Sequence, residues 1–295
     1  LFNMAGYCVD DPDPKSSIPG ASIIAGIGFV MGTRCLIYVD DSGINGGSTT
    51  QKTIEKIVGL FDMAKKQKLP LVHLVESGGA NLMDYQVEVW AMAGGTFAGL
   101  AELSAMGLPI VTVLHGMSVA GGAYNIGMSD YVIGVKDNGM AALAGSNLLR
   151  AATGEETSDK DLGGVEVHSK TTGLVEYLAE DDCHAIEIAR RVVKSLDWNR
   201  REDRHNAKEF KVPRYSTDEI LGLVPTDFRK PYDVKELICR LVDDSDFVEF
   251  KPDYGVSTVC VHANIFGISC ALIGNNGPID PNGAAKATHF FQLCD

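Results

Sequence analysis

Two short glycine-containing stretches hold the residues with which this sequence could perform chemistry. Residues 74–82 are LVESGGANL and residues 113–126 are VLHGMSVAGGAYNI. In each stretch an apolar run ends in a turn, at residues 77–80 (the first glycine turn) and at residues 120–123 (the second glycine turn). Glycine lets a main chain approach a ligand closely, and ligands of parallel α/β sheets bind beyond the carboxyl ends of the strands. The pattern therefore predicts a ligand site built from backbone.

Backbone N–H donors from two neighbouring turns would form an oxyanion hole. The second glycine turn also begins a predicted helix, so its first N–H groups lack acceptors within that helix and lie at the positive end of its dipole. Two such donors, directed at a thioester carbonyl, stabilise the enolate formed when the α-carbon loses a proton. Loss of one good donor in such a hole costs about 2.7–4 kcal/mol. The alternative is that these glycines serve only close packing of strand against helix.

Motifs for other kinds of chemistry are weak or missing in the sequence. The 7 histidines lack metal-ligand spacing, and we expect His73 and His115 to be satisfied core or rim residues. No GxSxG pattern surrounds Ser77 or Ser118, so a nucleophile elbow is not indicated. The paired glycines lack the later glycine of a dinucleotide fingerprint, and no P-loop is present. No metal is predicted.

Composition narrows the class of protein. The chain has 295 residues, 45% of them hydrophobic, and a net charge of −13, which argues against nucleic acid as a partner. Its 7 cysteines form no C-x-x-C pair, which favours buried thiols in a reducing compartment. Without a run long enough to cross a membrane, the expected location is cytoplasmic, or the mitochondrial matrix in a eukaryote. A start at Leu1 rather than Met suggests a missing amino terminus.

The hydrophobic pattern predicts alternating strands and helices, typical of βαβ units on a parallel sheet. Three expected strands, residues 71–75, 110–114 and 131–135, are almost entirely apolar, as in strands that are buried on both faces. The expected strands are residues 21–30, 34–39, 71–75, 110–114, 131–135, 256–265 and 268–273, and the expected helices are residues 48–67, 86–106, from about 120, 181–196, 217–222 and 233–243.

An internal repeat appears when the chain is shifted by 235 residues. Ser257 then falls on Ser22, Gly267 on Gly32, Cys270 on Cys35 and Ile279 on Ile44, without a gap. Strand, glycine hairpin, strand, polar loop and helix start follow in the same order in both copies. We therefore expect three regions: a first lobe at residues 1–198, a charged connector with short helices at 199–245, and the truncated start of a second lobe at 246–295.

The order of several motifs resembles that of a known family. ESGGANL, SVAGGAY, ALAG, AATGEE, DLGGVEVHSKTTG and YLAEDD, between about residues 18 and 294, resemble the carboxyltransferase (β) subunits of biotin-dependent acyl-CoA carboxylases, in the methylcrotonoyl-, geranyl- and broad acyl-CoA group. The resemblance implies an α/β, crotonase-like (ClpP/crotonase superfamily) ββα-repeat fold with mostly parallel sheets. It also implies a first lobe that binds acyl-CoA and a second that binds biotin.

The resemblance carries site residues over by position. Gly121 and Gly122 match the thioester oxyanion hole, and Gly79 and Ala80 match the turn that faces it; these four are the expected catalytic residues. The expected substrate-binding residues are Ser77, Gly78, Ser118, Val119, Ala120, Ala144 and Gly145.

The resemblance further implies a reaction and its partners. Carboxybiotin, on a partner carrier domain, would release CO₂; the biotin anion would take the acyl α-proton, and the enolate would attack the CO₂ from its α- or γ-carbon. The implied partners are acyl-CoA, a biotin carboxylase or biotin carrier subunit, and further copies of the same chain in a hexameric core of dimers. Neither nucleic acid nor a membrane is expected.

Departures from the family pattern keep other functions open. Ser146 and Asn147 stand where the family has Pro-Pro, and the preceding Phe is replaced within residues 140–142. These changes leave the acyl chain undetermined. A biotin-dependent acyl-CoA decarboxylase, a crotonase-type hydratase or isomerase, and a non-catalytic scaffold subunit remain as alternatives, although a hydratase would have a carboxylate near the position of Asn125.

Overall fold

The structure, a computed structural model, describes residues 18–81, 86–200, 209–227 and 229–294. The chain divides into two compact units. The first contains the described residues up to His168 together with Leu178–Arg190, and the second contains Ser169–Tyr177 and the described residues from Arg191 onward.

Thirteen strands form the sheets. They are β1 (Ile23–Val30), β2 (Thr33–Asp40), β3 (Ser48–Thr49), β4 (Leu71–Val75), β5 (Gly79–Ala80), β6 (Ile110–Leu114), β7 (Met117–Val119), β8 (Tyr131–Val135), β9 (Met140–Ala142), β10 (Tyr177–Ala179), β11 (Phe247–Phe250), β12 (Thr258–Ile265) and β13 (Ile268–Asn275), all within the described ranges.

Ten α-helices connect or flank these strands in the same ranges. They are α1 (Gln51–Gln67), α2 (Val87–Ala105), α3 (Gly121–Gly127), α4 (Ser146–Thr153), α5 (Asp159–Gly163), α6 (Val165–Val167), α7 (Asp182–Ser195), α8 (Ile220–Leu223), α9 (Val234–Ile238) and α10 (Pro281–Cys294). A π-helix spans His168–Thr172.

The main sheet of six strands has the order β1-β2-β4-β6-β8-β10. β1 and β2 form an antiparallel hairpin, whereas β2, β4, β6 and β8 pair in parallel. The three apolar runs at residues 71–75, 110–114 and 131–135 are the adjacent strands β4, β6 and β8, and every residue of β6 and β8 is buried. The prediction of parallel central strands covered on both faces is confirmed, and it places the turns that follow β4 and β6 at one edge of the sheet.

Helix α1 begins three residues later than the pattern predicted. Ser48 and Thr49 pair with β5 instead, and the Thr50 hydroxyl accepts the Thr53 N–H (3.3 Å) as the helix cap. The helix then packs closely against α2, because a Cβ atom on Gly99 of α2 would lie 2.6 Å from the Phe61 ring of α1.

The repeat is confirmed in the two hairpins. Ile23 pairs with Asp40 in the first and Thr258 with Asn275 in the second, so that both registers are related by the same shift of 235 residues. Beyond the hairpins the ungapped alignment is wrong. The second copy has a shorter loop before its helix, so that Lys286, not a residue shifted by 235, corresponds to Lys56 as the sixth residue of the helix.

Both of these lysines are buried. The Lys56 ammonium group donates to the carbonyl oxygens of Gly20 (2.9 Å) and Ile23 (2.7 Å). The Lys286 ammonium group is also buried and has no hydrogen-bond partner among the described residues. Burial lowers the pKa of both ammonium groups.

The expectations about membrane crossing, the cysteines and the charged connector can each be compared with the described residues. Within the described ranges, none of the helices has the length and apolar character that a membrane crossing needs. None of the six described cysteines forms a disulfide; Cys35 and Cys260 are buried, but Cys183 is exposed, contrary to the expectation of buried thiols. Cys8 and residues 201–208 of the charged connector lie outside the described residues.

We expect His262 of β12 to make stability depend on pH. Burial lowers the pKa of its imidazole from 6.5 to about 4, so as the pH falls the unfolded chain binds a proton before the folded chain does. This contribution to stability is complete above pH 6.5 and is lost as the pH falls toward 4, with a loss of about 2 kcal/mol between about pH 7 and pH 5. Urea unfolding at these two pH values measures it.

The matched variant for this prediction is His262→Gln, which should lose less stability than the wild type over the same pH interval. His289, whose pKa is also lowered to about 4 by burial and by Lys251, acts in the same direction and should leave part of the dependence in place. Equal losses in the variant and the wild type would show that His262 does not cause the effect.

Candidate active site

The first residue of the first glycine turn, Ser77, is hydrogen-bonded to strand β7 through both its N–H and its carbonyl group. The Ser77 N–H donates to the Met117 carbonyl oxygen (3.1 Å), and the Val119 N–H donates to the Ser77 carbonyl oxygen (3.0 Å). The Ser77 hydroxyl, which is buried, donates to Gly47 O and accepts the Gly79 N–H, each at 3.3 Å. Two backbone bonds and two side-chain bonds therefore hold the turn in place.

The second glycine turn has an unusual backbone at Ala120, whose φ of 51° and ψ of −121° lie outside the usual regions for a residue with a side chain. The Ala120 N–H donates to Ala142 O of β9 (3.0 Å). Gly121 and Gly122 are the first two residues of α3, so their N–H groups have no acceptor within the helix. Since α3 has only seven residues, these N–H groups matter more than its dipole.

The two turns lie against each other, as the sequence predicted. A Cβ atom on Gly79 (φ +79°) would lie 3.0 Å from Val119 O and 3.7 Å from Gly121 N. A Cβ atom on Gly122 would lie 2.9 Å from both the carbonyl oxygen and the Cβ of Ser77. Real Cβ atoms do not make contacts as short as 2.9 Å, so the approach of the turns requires glycine at position 122. At position 79 the positive φ and the tight 3.0 Å approach both favour glycine.

The pairing of β5 with β3 decides which N–H of the first turn is available. Gly79 and Ala80 pair in parallel with Ser48 and Thr49, and the Asn81 N–H donates to Thr49 O (3.3 Å). Because N–H groups alternate along a strand, the Ala80 N–H points away from β3. The Gly79 N–H is engaged by the Ser77 hydroxyl, so Ala80 has the better-placed donor.

A third glycine pair contacts the first turn, and the sequence interpretation missed it. Residues 45–47 form a 3₁₀ turn in which Gly46 and Gly47 have φ of 62° and 70°. A Cβ atom on Gly47 would lie 2.4 Å from Glu76 O, and one on Gly78 would lie 2.8 Å from Gly46 O. The signal for this contact is Gly46-Gly47 itself, which lies in the polar loop before α1.

The remaining predicted site residues differ in their surroundings. Ser118 is fully buried and its hydroxyl has no hydrogen-bond partner among the described residues; its side chain therefore lies in the interior rather than at the surface of the turn. Ala144 and Gly145 precede α4, where the Ser146 N–H donates to Asp159 (2.8 Å) and lowers the pKa of that carboxyl. Ala144 and Gly145 lie two and three residues after Ala142, whose carbonyl oxygen accepts the Ala120 N–H.

The residues of the two turns themselves carry no titratable side chain. Nearby, the rings of Phe97 and Tyr124 pack with centroids 5.0 Å apart, and a Cβ atom on Gly121 would lie 3.8 Å from Phe97 Cζ. The expectation of satisfied histidines is confirmed for His73, which bonds Asp40 at 3.1 Å. It is wrong for His115, whose Nε2 is buried without a partner among the residues that the structure describes.

A cavity of about 420 Å³ adjoins the first glycine turn at Ala80 and Asn81. Its other walls come from the loop before α1, the first turn of α1 and the first turns of α2, with Thr50, Lys52 and Trp90 among the lining residues. Of the residues predicted for the site, Ala80 lines this cavity.

Comparisons with known proteins agree on one family. Residues 4–295 match the carboxyl transferase domain. A probable biotin-dependent acyl-coenzyme A carboxylase beta2 subunit of Mycobacterium tuberculosis is 40% identical over 277 residues, which cover 94% of this chain and 52% of that protein. The chain therefore spans about half the length of the curated relatives that it matches.

Two solved structures give the same result. The beta subunit of geranyl-CoA carboxylase from P. aeruginosa is 45% identical, with a TM-score of 0.61 over 100% of this chain and 54% of that one. Transcarboxylase 12S, crystallised with methylmalonyl-coenzyme A and methylmalonic acid, is 26% identical, with a TM-score of 0.84 over 94% of this chain and 54% of that one. The expected α/β fold with mostly parallel strands is confirmed.

The contacts of Gly121 and Gly122 predict that adding one methyl group destabilises the protein at Gly122 but not at Gly121. Gly122→Ala forces the new Cβ against the Ser77 backbone and should lower the free energy of unfolding by about 1–3 kcal/mol. Gly121→Ala places its Cβ at an ordinary contact distance and should change it by no more than about 0.5 kcal/mol. Urea unfolding of both variants measures the difference; equal stabilities would contradict the close approach of the turns.

Proposed function

The chain belongs to the carboxyl transferase domain family, and on that premise we propose that it is the carboxyltransferase component of a biotin-dependent acyl-CoA carboxylase. The proposed reaction moves a carboxyl group from carboxybiotin to the α- or γ-carbon of an acyl-CoA. Residues 1–198 would form the acyl-CoA lobe and residues 246–295 the start of the biotin-side lobe. The observation that carries the proposal is the close approach of the two glycine turns. A Cβ atom on Gly79 would lie 3.7 Å from Gly121 N.

The proposed chemistry of this chain is stabilisation of an enolate. The N–H groups of Gly121 or Gly122 and of Ala80 would donate to the thioester oxygen, and their effect grows as that oxygen gains negative charge. Carboxybiotin, when bound, supplies the carboxyl group and the acceptor of the proton that leaves the α- or γ-carbon. The turns provide no titratable side chain, so the chain would act by holding dipoles in place rather than by moving protons.

We assign the cavity beside Ala80 to part of the acyl-CoA. Its lining includes the Thr50–Lys52 segment at the start of the 17-residue helix α1. A helix start and a lysine suit the phosphate groups of coenzyme A, while Trp90 and Ile54 supply apolar contacts for its uncharged part.

We also propose partners of two kinds. A biotin carboxylase or biotin carrier subunit would bring carboxybiotin, and further copies of this chain would form an oligomer, with a hexameric core of dimers as the finer proposal. Exposed apolar side chains support association: Leu148 of α4 is 63% exposed, Ile279 64% and Phe291 of α10 67%.

A crotonase-type hydratase is disfavoured because Asn125 stands where such an enzyme would have a carboxylate. We also propose that the reaction runs in the direction of carboxylation rather than decarboxylation. Incubation of the full-length subunit with its biotin carboxylase and biotin carrier partner, MgATP and labelled bicarbonate should carboxylate methylcrotonoyl-CoA or geranyl-CoA. Net loss of carboxyl from a malonyl-type CoA, without carboxylation of either acyl-CoA, would indicate the decarboxylase; no reaction in either direction would indicate a scaffold.

Ala80→Pro tests the donor directly. Proline removes the Ala80 N–H but leaves the β3–β5 bonds, which use other backbone groups, so turnover should fall about 10²–10³-fold. Ala80→Ser retains the N–H and should keep turnover within about threefold of the wild type. Unchanged turnover in a folded Ala80→Pro subunit would exclude this N–H from the reaction.

A further inference from the structure

A buried histidine–aspartate pair lies directly before the first glycine turn and has no part in the proposed chemistry. His73 of β4 is 1% exposed, and its Nε2 lies 3.1 Å from Asp40 Oδ2 at the end of β2. β2 and β4 are adjacent parallel strands with Tyr38 opposite His73. The two rings stack with centroids 3.6 Å apart and planes 21° apart. The pair is therefore held by the central sheet itself.

The same carboxylate oxygen reaches the backbone of the turn. The Glu76 N–H donates to Asp40 Oδ2 at 3.3 Å, and Glu76 is the last residue before the first glycine turn. Its carbonyl oxygen lies against Gly47, and the Ser77 N–H beside it bonds Met117. Asp40 thus fixes the peptide group at which β4 ends and the turn begins.

Because the histidine–aspartate pair is buried, its role is to position backbone rather than to contact a substrate. His73 is covered by the Tyr38 ring and the side chain of Asp40 is 10% exposed, so neither group is placed to touch a substrate. A carboxylate in such a place must be satisfied by donors, and within the described part of the chain Asp40 has two, His73 Nε2 and the Glu76 N–H. Because His73 Nε2 faces a carboxylate that accepts, this nitrogen carries the proton.

We propose that Asp40, held by His73, is a positioning residue for the first glycine turn. By accepting the Glu76 N–H it sets the path of residues 77–80 and so the direction of the Ala80 N–H. The expected effect of Asp40 on carboxyl-transfer kinetics rests on the proposed function. Its expected effect on the backbone of the turn does not. A charge-assisted hydrogen bond to a buried group is strong enough to fix the Glu76 peptide group, from which the chain enters the turn.

Amide hydrogen exchange of residues 74–81 tests the structural half in the full-length subunit. In Asp40→Ala, exchange at the Glu76 amide should accelerate about tenfold or more, with smaller changes at β6 and β8. Asp40→Asn keeps an oxygen that accepts both donors and should exchange nearly as the wild type does. Unchanged exchange at Glu76 in Asp40→Ala, or equal acceleration across the whole sheet, would overturn the proposal.

Carboxyl-transfer kinetics test the second half. Asp40→Ala should lower kcat about tenfold or more and leave KM for the acyl-CoA within about threefold, because the displaced donor acts on the developing oxyanion. His73→Phe keeps the stack on Tyr38 but removes the N–H donor, and should show a smaller loss of kcat. Equal kcat values for Asp40→Ala and Asp40→Asn would overturn the positioning role.

Tyr38→Phe is the matched control. It keeps the ring that stacks on His73 and removes a buried hydroxyl that has no hydrogen-bond partner among the described residues. Its exchange at Glu76 and its kcat should equal those of the wild type, and a loss as large as that of Asp40→Ala would overturn the proposal. A wild-type subunit that transfers no carboxyl group would refute the proposed function, whereas the exchange measurement would still decide whether Asp40 holds the turn.

Discussion

The absence of a side chain at Gly79 and Gly122 is the constraint on which the whole site depends. A single carbon atom at Gly122 would lie 2.9 Å from the Ser77 carbonyl oxygen, and one at Gly79 would lie 3.0 Å from Val119 O. Both glycines lie against segments that the hydrogen bonds between Ser77 and β7 hold together. Two pieces of main chain that belong to different strand–helix units are thereby brought into contact, with the N–H groups of α3 beside them.

That contact needs a rigid support, which the buried parallel strands provide. β4 and β6 end at the same edge of the sheet, and the fully buried residues of β6 leave little freedom for either end to move. A site made of backbone cannot adjust by changing side-chain rotamers, so its precision has to come from the sheet. The Asp40–His73 pair extends this support from the strands to the first peptide group of the turn.

Local pattern was enough to predict the buried strands, the two glycine turns and the repeated hairpin, because each depends on residues close together in the sequence. The contacts that organise the site were harder to predict. Asp40 and His73 are separated by 33 positions, and the sequence of β4 does not indicate which residue of a neighbouring strand His73 contacts. The contact of Gly47 with Glu76 and the positive φ of Ala120 likewise depend on how segments meet in space. The shorter loop before α10 was not predicted, because the two copies of the repeat share few identical residues.

The vibrational frequency of the thioester carbonyl in bound acyl-CoA tests the central claim most directly. Isotope-edited infrared spectroscopy of the full-length subunit, loaded with an acyl-CoA labelled with ¹³C at its carbonyl, reports the polarisation of that bond without any turnover. If the two turns donate to the oxygen, the band of the bound thioester shifts to lower wavenumber than in water, and the shift shrinks in Ala80→Pro. A bound thioester whose carbonyl band stays at its position in water would contradict the account.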